Sequence, residues 1–179
     1  MHAQVEINLD EVFGPQWYVA VRPGGFATNL LRYKDGIARG NVRLHRGSFR
    51  MDCITPVGMG TVSGTVLATH DLPNTQGPVY LFGPQVVSLE DAIGVIGRVL
   101  GREVEITRIE KKEAVEQMQG NGIPKPMAEY MVRRFNEVQD EETERPRYQE
   151  GVENVRRFTS KASTSLEDWV ADNKQLFGV

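Results

Sequence analysis

The chain has 179 residues, 40% of them hydrophobic and 25% charged, with a formal net charge of −3 and a single cysteine, Cys53. These values suit one domain able to bury a real core. They exclude the concentrated basic surface that a nucleic-acid partner needs, an internal disulfide framework and, with no apolar run near ~18 residues, a membrane-spanning helix. Met1-His2-Ala3-Gln4-Val5-Glu6 carries neither a basic leader nor an apolar signal core, so a cytoplasmic location is expected.

Residues 3–13 read as an amphipathic helix, with Val5, Leu9 and Val12 on one stripe and Gly14-Pro15 as its stop. Trp17 to Val21 is a β-rich apolar run that predicts a buried strand, broken by Pro23-Gly24-Gly25. Residues 26–39 read as a loop entering a short helix. Val42 to His45 and Met51 to Ile54 predict two short strands. Thr55 is a good N-cap and Pro56 suits the first helical position, which opens a helix over 56–69. Gly58, Gly60 and Gly64 each weaken that helix by up to ~1 kcal/mol, and their spacing of four suggests close backbone packing.

Asp71 to Pro78 is rich in turn residues. Val79 to Phe82 predicts a strand, stopped by Gly83-Pro84. Ser88-Leu89-Glu90-Asp91 resembles a capping box for a helix through Leu100, with Leu89, Ala92, Ile93, Ile96 and Leu100 as its core face and Gly101 as its C-cap. Val104, Ile106 and Arg108 belong to a further strand. Residues 110–119 and Pro124 to about Val138 predict two helices; the second carries Met127, Tyr130, Met131, Arg134 and Phe135 near one face. Asp140 to Glu144 reads as a solvated acidic loop. Ser165-Leu166-Glu167-Asp168 opens the last helix, 166–177, with Leu166, Trp169, Val170 and Leu176 as apolar contacts. Alternating strands and helices predict an α/β domain with a small sheet. The chain reads as a single domain over 1–179, an α/β part over 1–109 and a mainly helical part over 110–179.

No G-x-G-x-x-G or G-x-x-G-x-x-G stands between a leading strand and a helix. A dinucleotide pyrophosphate needs such glycines for close backbone approach, and a helix N-terminus for its charge. Gly58-Met59-Gly60 lies inside a predicted helix and reads as packing. Gly24-Gly25 follows a strand, and strand C-termini are where α/β sheets usually hold ligands. Metal-ligand spacings such as HExxH or CxxC are absent, so no metal site is expected. None of the five tyrosines has a lysine four positions on, which removes the usual short-chain dehydrogenase proton donor.

Trp17-Tyr18-Val19-Ala20-Val21-Arg22-Pro23-Gly24-Gly25-Phe26-Ala27-Thr28-Asn29 resembles the "W-x-x-L-R-P-x-x-F-x-x-N" segment of NmrA-like atypical short-chain dehydrogenases. Within that group it is similar to the fungal ergot-alkaloid reductases and related bacterial reductases. Later landmarks keep the family order. Ile54-Thr55-Pro56-Val57-Gly58 stands where the family has "V-x-x-x-D-I-A", with the acidic feature replaced by Pro56-Val57. Tyr80 to Pro84 resembles "Y-x-L-x-G-P", Val99-Leu100-Gly101-Arg102 resembles a helix end "L-G-R", and Phe158 to Lys174 resembles the closing helix. The resemblance covers nearly the whole chain and implies a partial, truncated Rossmann-like fold with a helical C-terminal substrate-binding region. It places these residues after the glycine-rich half that holds most dinucleotide contacts. A stand-alone remnant, a fragment, or a partner half on a separate chain would each account for this. A sheet edge and helix faces once covered by the missing half would be exposed, so a homodimer or higher oligomer is expected.

The resemblance also implies a substrate site at the Pro23–Asn29 loop, the Arg50–Ile54 segment and the helix containing Tyr130. Asp52, His45 and Tyr130 are the acid/base candidates. Gly24, Gly25, Phe26, Asn29, Arg50, Met127, Met131 and Arg134 are the substrate-binding candidates. The leading expectation is a cofactor-independent isomerase, cyclase or dehydratase of small-molecule, secondary-metabolite biosynthesis. The alternatives are an NAD(P)H-dependent oxidoreductase completed by a partner chain and a non-catalytic NmrA-like binding or regulatory protein. No cofactor is expected unless a partner chain supplies the glycine-rich half.

Overall fold

The computed structural model describes residues 2–69, 77–137 and 145–178, without the side chains of His2 and Phe135. The expected acidic loop at 140–144 and most of the turn at 71–78 lie outside the described residues. In chain order the elements are α1 (His2–Phe13), β1 (Val21–Pro23), a 3-10 helix (Ala27–Tyr33), α2 (Lys34–Ala38), β2 (Asn41–Leu44), β3 (Arg50–Met51) and α3 (Pro56–Ala68). They continue with β4 (Val79–Leu81), β5 (Val87–Ser88), α4 (Leu89–Leu100), β6 (Glu105–Arg108), α5 (Lys111–Gly120) and α6 (Lys125–Glu137). The last are α7 (Tyr148–Thr159), α8 (Leu166–Asp172) and a 3-10 turn (Lys174–Phe177).

Short strands make three two-stranded pairs. β1 and β4 are parallel with Val21 opposite Val79, β2 and β6 are parallel with Asn41 opposite Glu105, and β3 and β5 are antiparallel. Parallel pairs need long crossover connections, and here helices and loops fill them. Side-chain caps start the main helices. Thr55 accepts from the Gly58 amide, Ser88 from Asp91 and Ser165 from Asp168. Gly101, at φ 65°, closes α4 in the left-handed conformation that glycine tolerates best.

The larger core joins α4, α8, β2 and the 27–37 segment, with Leu30, Ile37, Leu44, Ile93, Ile96, Trp169 and Phe177 buried. A second core lies between the β1–β4 pair, α3 and α7, built on Ile54, Val62, Val79, Leu81 and Val155. Three polar ties fasten α7 to β4 and the turn after it. The Phe82 amide donates to the Gly151 carbonyl at 3.2 Å, Asn154 Nδ2 to the Tyr80 carbonyl at 3.1 Å, and the Tyr148 hydroxyl to the Gly83 carbonyl at 2.9 Å. A Cβ on Gly151 would come within 2.2 Å of the Phe82 ring, so only glycine permits this approach.

Four sequence expectations are corrected. The run Trp17–Val21 is not the strand: Trp17 is 75% exposed and pairing begins at Val21. Gly60 and Gly64 have open space, not backbone, where a Cβ would go. Phe177, not Leu176, reaches the core, because the chain tightens to a 3-10 turn there. Finally, α7 was not anticipated; its sequence is charged and its N-cap, Arg147, offers no side-chain cap. The predicted helix at 3–13 forms as α1, but its apolar stripe stays open: Val5, Val12 and Phe13 are exposed. What holds α1 is polar. Arg22 pairs with Glu6, and the Tyr18 hydroxyl donates to Asp10 Oδ1 at 2.8 Å. No described helix is long and apolar enough to cross a membrane.

Candidate functional site

β1 ends in Pro23, and the turn that follows is held from three directions. The Gly24 amide donates to the Leu81 carbonyl, Ala27 to Ile54, and Ile54 back to Gly25, each at 2.9 Å. Asp52 is the hub. Its Oδ1 accepts from the Gly25 amide at 2.8 Å and its Oδ2 from the Gly83 amide at 3.0 Å. Arg145 Nε lies 3.6 Å from Oδ1, with both side chains buried. That separation suits an ion pair but not a hydrogen bond. The Arg145 guanidinium also donates to the Arg50 carbonyl. Gly24 and Gly83 are needed here. A Cβ on Gly24 would sit 2.4 Å from the Asp52 carboxylate, and one on Gly83 would sit 1.8 Å from the Asp52 carbonyl oxygen.

A cavity of about 390 Å³ opens beside this turn, lined by glycines 24 and 25, Asn29, Arg50, Asp52 and Met131 among the sequence candidates. The other five candidates lie elsewhere. His45 borders a neighbouring cavity of about 40 Å³. Its Nδ1 is 3.0 Å from the Ile109 carbonyl and its Nε2 is 3.3 Å from Asn136 Nδ2. These partners fit a ring with its hydrogen on Nδ1. Tyr130 is 49% exposed under the Arg133 guanidinium, and Met127 is 50% exposed on the same helix. Phe26 is exposed at the N-cap of the 3-10 helix, and Arg134 is half-buried outside the lining. The three acid/base candidates therefore do not converge. Asp52 alone reaches the cavity, with both carboxylate oxygens already accepting from backbone amides.

Met51 lines the cavity as part of the expected Arg50–Ile54 segment, whereas Leu30, Arg32, Tyr33, Phe49, Leu89 and Arg145 lie outside the segments the sequence pointed to. Burial pushes the Tyr33 phenol above its usual value, and the Arg32 charge opposes that shift. The signal for Arg32 and Tyr33 was their place one turn beyond Asn29. For Arg145, at the start of an unforeseen helix, there was none. Cys53 follows Asp52 with φ 53°, an uncommon conformation for a non-glycine residue. Burial, then the Asp52 charge, pushes its thiol up to about 12. It is an inert core residue.

A nicotinamide dinucleotide would need a cradle of free backbone amides. The glycine turn after β1 does not supply one. The Gly24, Gly25 and Ala27 amides are all bonded within the protein, and the space at Gly24 is filled by the Asp52 carboxylate. Among the described residues, the turn fits a substrate wall and not a pyrophosphate site.

No family model matches the chain. An uncharacterized oxidoreductase of Bacillus subtilis (strain 168), YesF, is 25% identical over 160 residues, which is 88% of this chain and 53% of the relative. An NADPH-dependent quinone oxidoreductase (QOR2) of Escherichia coli superposes with a TM-score of 0.67 at 14% identity, over 95% of this chain and 60% of its own. A triphenylmethane reductase of Citrobacter sp. superposes at 0.67 and 13% identity, over 99% and 59%. A nucleoside-diphosphate-sugar epimerase of Staphylococcus aureus superposes at 0.62 and 13% identity, over 86% and 52%. The fold is thus a partial Rossmann-type α/β fold, as the sequence resemblance implies. The chain spans about half to three-fifths of the length of these relatives.

Proposed function

We propose that this chain forms the substrate-binding portion of an NAD(P)H-dependent oxidoreductase, with the dinucleotide cradle supplied by polypeptide outside this sequence. The observation that carries the reading is the turn after β1. It opens onto a cavity at the carboxyl end of a parallel strand, where α/β folds hold ligands, yet its amides are already consumed. The comparisons lend support: the quinone oxidoreductase and the triphenylmethane reductase were each also solved with NADPH or NADP(H), and each matches 95% of this chain. The cofactor-free isomerase, cyclase or dehydratase has less behind it, since His45 and Tyr130 stand away from the cavity.

In this reading the missing polypeptide covers the exposed face of α1 and the edge of β1 that does not face β4. A homodimer that buries the same surface is the rival arrangement. A chimera tests the proposal: the unmatched portion of the Bacillus relative joined to this chain. It is expected to bind NADPH and to oxidise it with a quinone acceptor, whereas this chain alone does neither. Turnover of a substrate by this chain alone, without nucleotide, would overturn the reading. So would a folded chimera that ignores NADPH.

A further inference from the structure

Three guanidinium groups and one carboxylate stand among the described residues that line the cavity beside Gly24-Gly25. Arg32, Arg50 and Arg145 line it, and Asp52 is the one acidic side chain among its lining residues. Asp52 is matched with Arg145. Arg32 is positioned differently. Its Nε donates to the Asn29 carbonyl at 2.7 Å, within its own turn. That bond orients the guanidinium plane and leaves the two terminal nitrogens with no acceptor among the described residues. A guanidinium so fixed offers a planar, two-pronged donor that matches a carboxylate. Beyond Asn29 and the Pro23-Gly24-Gly25 turn, the rest of the wall is apolar or aromatic, from Leu30, Tyr33, Phe49, Met51, Leu89 and Met131. Its volume of about 390 Å³ lies in the range of small-molecule sites. Arg32 and Tyr33 both line this cavity, so cation and ring border the same space.

We infer that this cavity selects a ring-bearing substrate with one carboxylate or similar planar oxyanion, the anion on the terminal nitrogens of Arg32 and the ring against Tyr33, Phe49 and Met51. The inference rests on reading this cavity as the substrate site. Apolar walls supply the area for binding, and the charge-assisted bonds supply the discrimination, because a neutral analogue leaves the guanidinium desolvated without a partner.

The test is direct binding to the purified chain, without nucleotide, using 2-naphthoate and its neutral amide, 2-naphthamide. Calorimetry gives the affinities, and methyl-labelled methionine spectra give the location. The carboxylate is expected to bind about tenfold or more tightly than the amide, with the Met51 and Met131 methyl signals moving and that of Met127 still. Arg32→Gln is expected to erase the preference and Arg32→Lys to keep only part of it, while Arg98→Gln, on the exposed side of α4, keeps it whole. Should Arg32→Gln not fold, salt decides: the naphthoate affinity must fall with ionic strength while the naphthamide affinity holds. Equal affinities, binding of neither probe at millimolar concentration, or a preference that survives Arg32→Gln each overturn the inference. A chimera that fails to oxidise NADPH would sink the reductase reading and leave this binding result standing.

Discussion

α1 and α4 are helices of equal length with opposite fates. Each has twelve residues and an apolar stripe at helical spacing. In α4 the stripe is covered: Leu89, Ala92, Ile93 and Ile96 are buried against α8, β2 and the 27–37 segment. In α1 the stripe is open, with Val5 53%, Val12 70% and Phe13 58% exposed, and with Trp17 beyond it at 75%. Polar ties hold α1 instead: a two-bond, part-buried Arg22–Glu6 pair and an exposed Tyr18–Asp10 hydrogen bond, the latter of a kind that contributes little stability. The contrast shows what periodicity reports. It marks a face that wants cover, and it does not say whether the cover lies in the same polypeptide.

The largest expected effect lies on the covered side. Asp52→Ala removes the partner of a buried guanidinium and the acceptor of two amides, so it should cost about 3–5 kcal/mol in urea unfolding. A loss below about 1 kcal/mol would mean that water already serves those groups. Next, Ile96→Ala in α4 should cost about 2–5 kcal/mol. Val12→Ala in α1 should change stability by no more than about 0.5 kcal/mol. If the two losses were alike, α1 would have a hidden partner within the chain and the comparison would fail.

Cys53 gives a smaller, pH-dependent effect. Its thiol is raised from 9.0 in the unfolded chain to about 12 in the folded one. Below pH 9 both states keep the proton and the group is neutral to stability. Above it the unfolded state ionises first, so stability should fall as pH climbs from 9 towards 12. A Cys53→Ala variant should lack that part of the slope, and iodoacetamide should label Cys53 only on unfolding. The smallest change in folding stability is expected for Trp17→Ser with Phe13→Ser, within about 0.5 kcal/mol. Yet this double variant should elute as a smaller species in size-exclusion chromatography if the open face drives self-association. An unchanged elution volume would remove the homodimer as its occupant.

Where local chemistry decides the outcome, the sequence could be read. Thr55, Ser88 and Ser165 cap as their types demand, Gly101 takes the left-handed position, and the stripe of α4 goes inside. The cavity was legible in part, because a glycine pair at a strand end marks a ligand position in α/β folds. α7 was hidden. Tyr148, Val152, Val155 and Phe158 recur at spacings of three and four, but charged neighbours and an uncapped start masked them. With α7 unseen, Arg145 at its threshold was unseen too, and so was the reason Asp52 is held. His45 and Tyr130 illustrate the reverse. Their residue types suggest acid/base work, but only tertiary packing decides where a side chain lies, and it puts them apart from Asp52.

The two parallel strand pairs have a kinetic consequence. Val21 must find Val79, and Asn41 must find Glu105, before either pairing yields a hydrogen bond. The entropy of closing such long loops is lost first and repaid late. Helices such as α4 can form from neighbouring residues, while both sheets await the assembled chain. Refolding should therefore be slow for a protein of this size, and dilution and low temperature should raise the yield by shielding unpaired strands from other molecules.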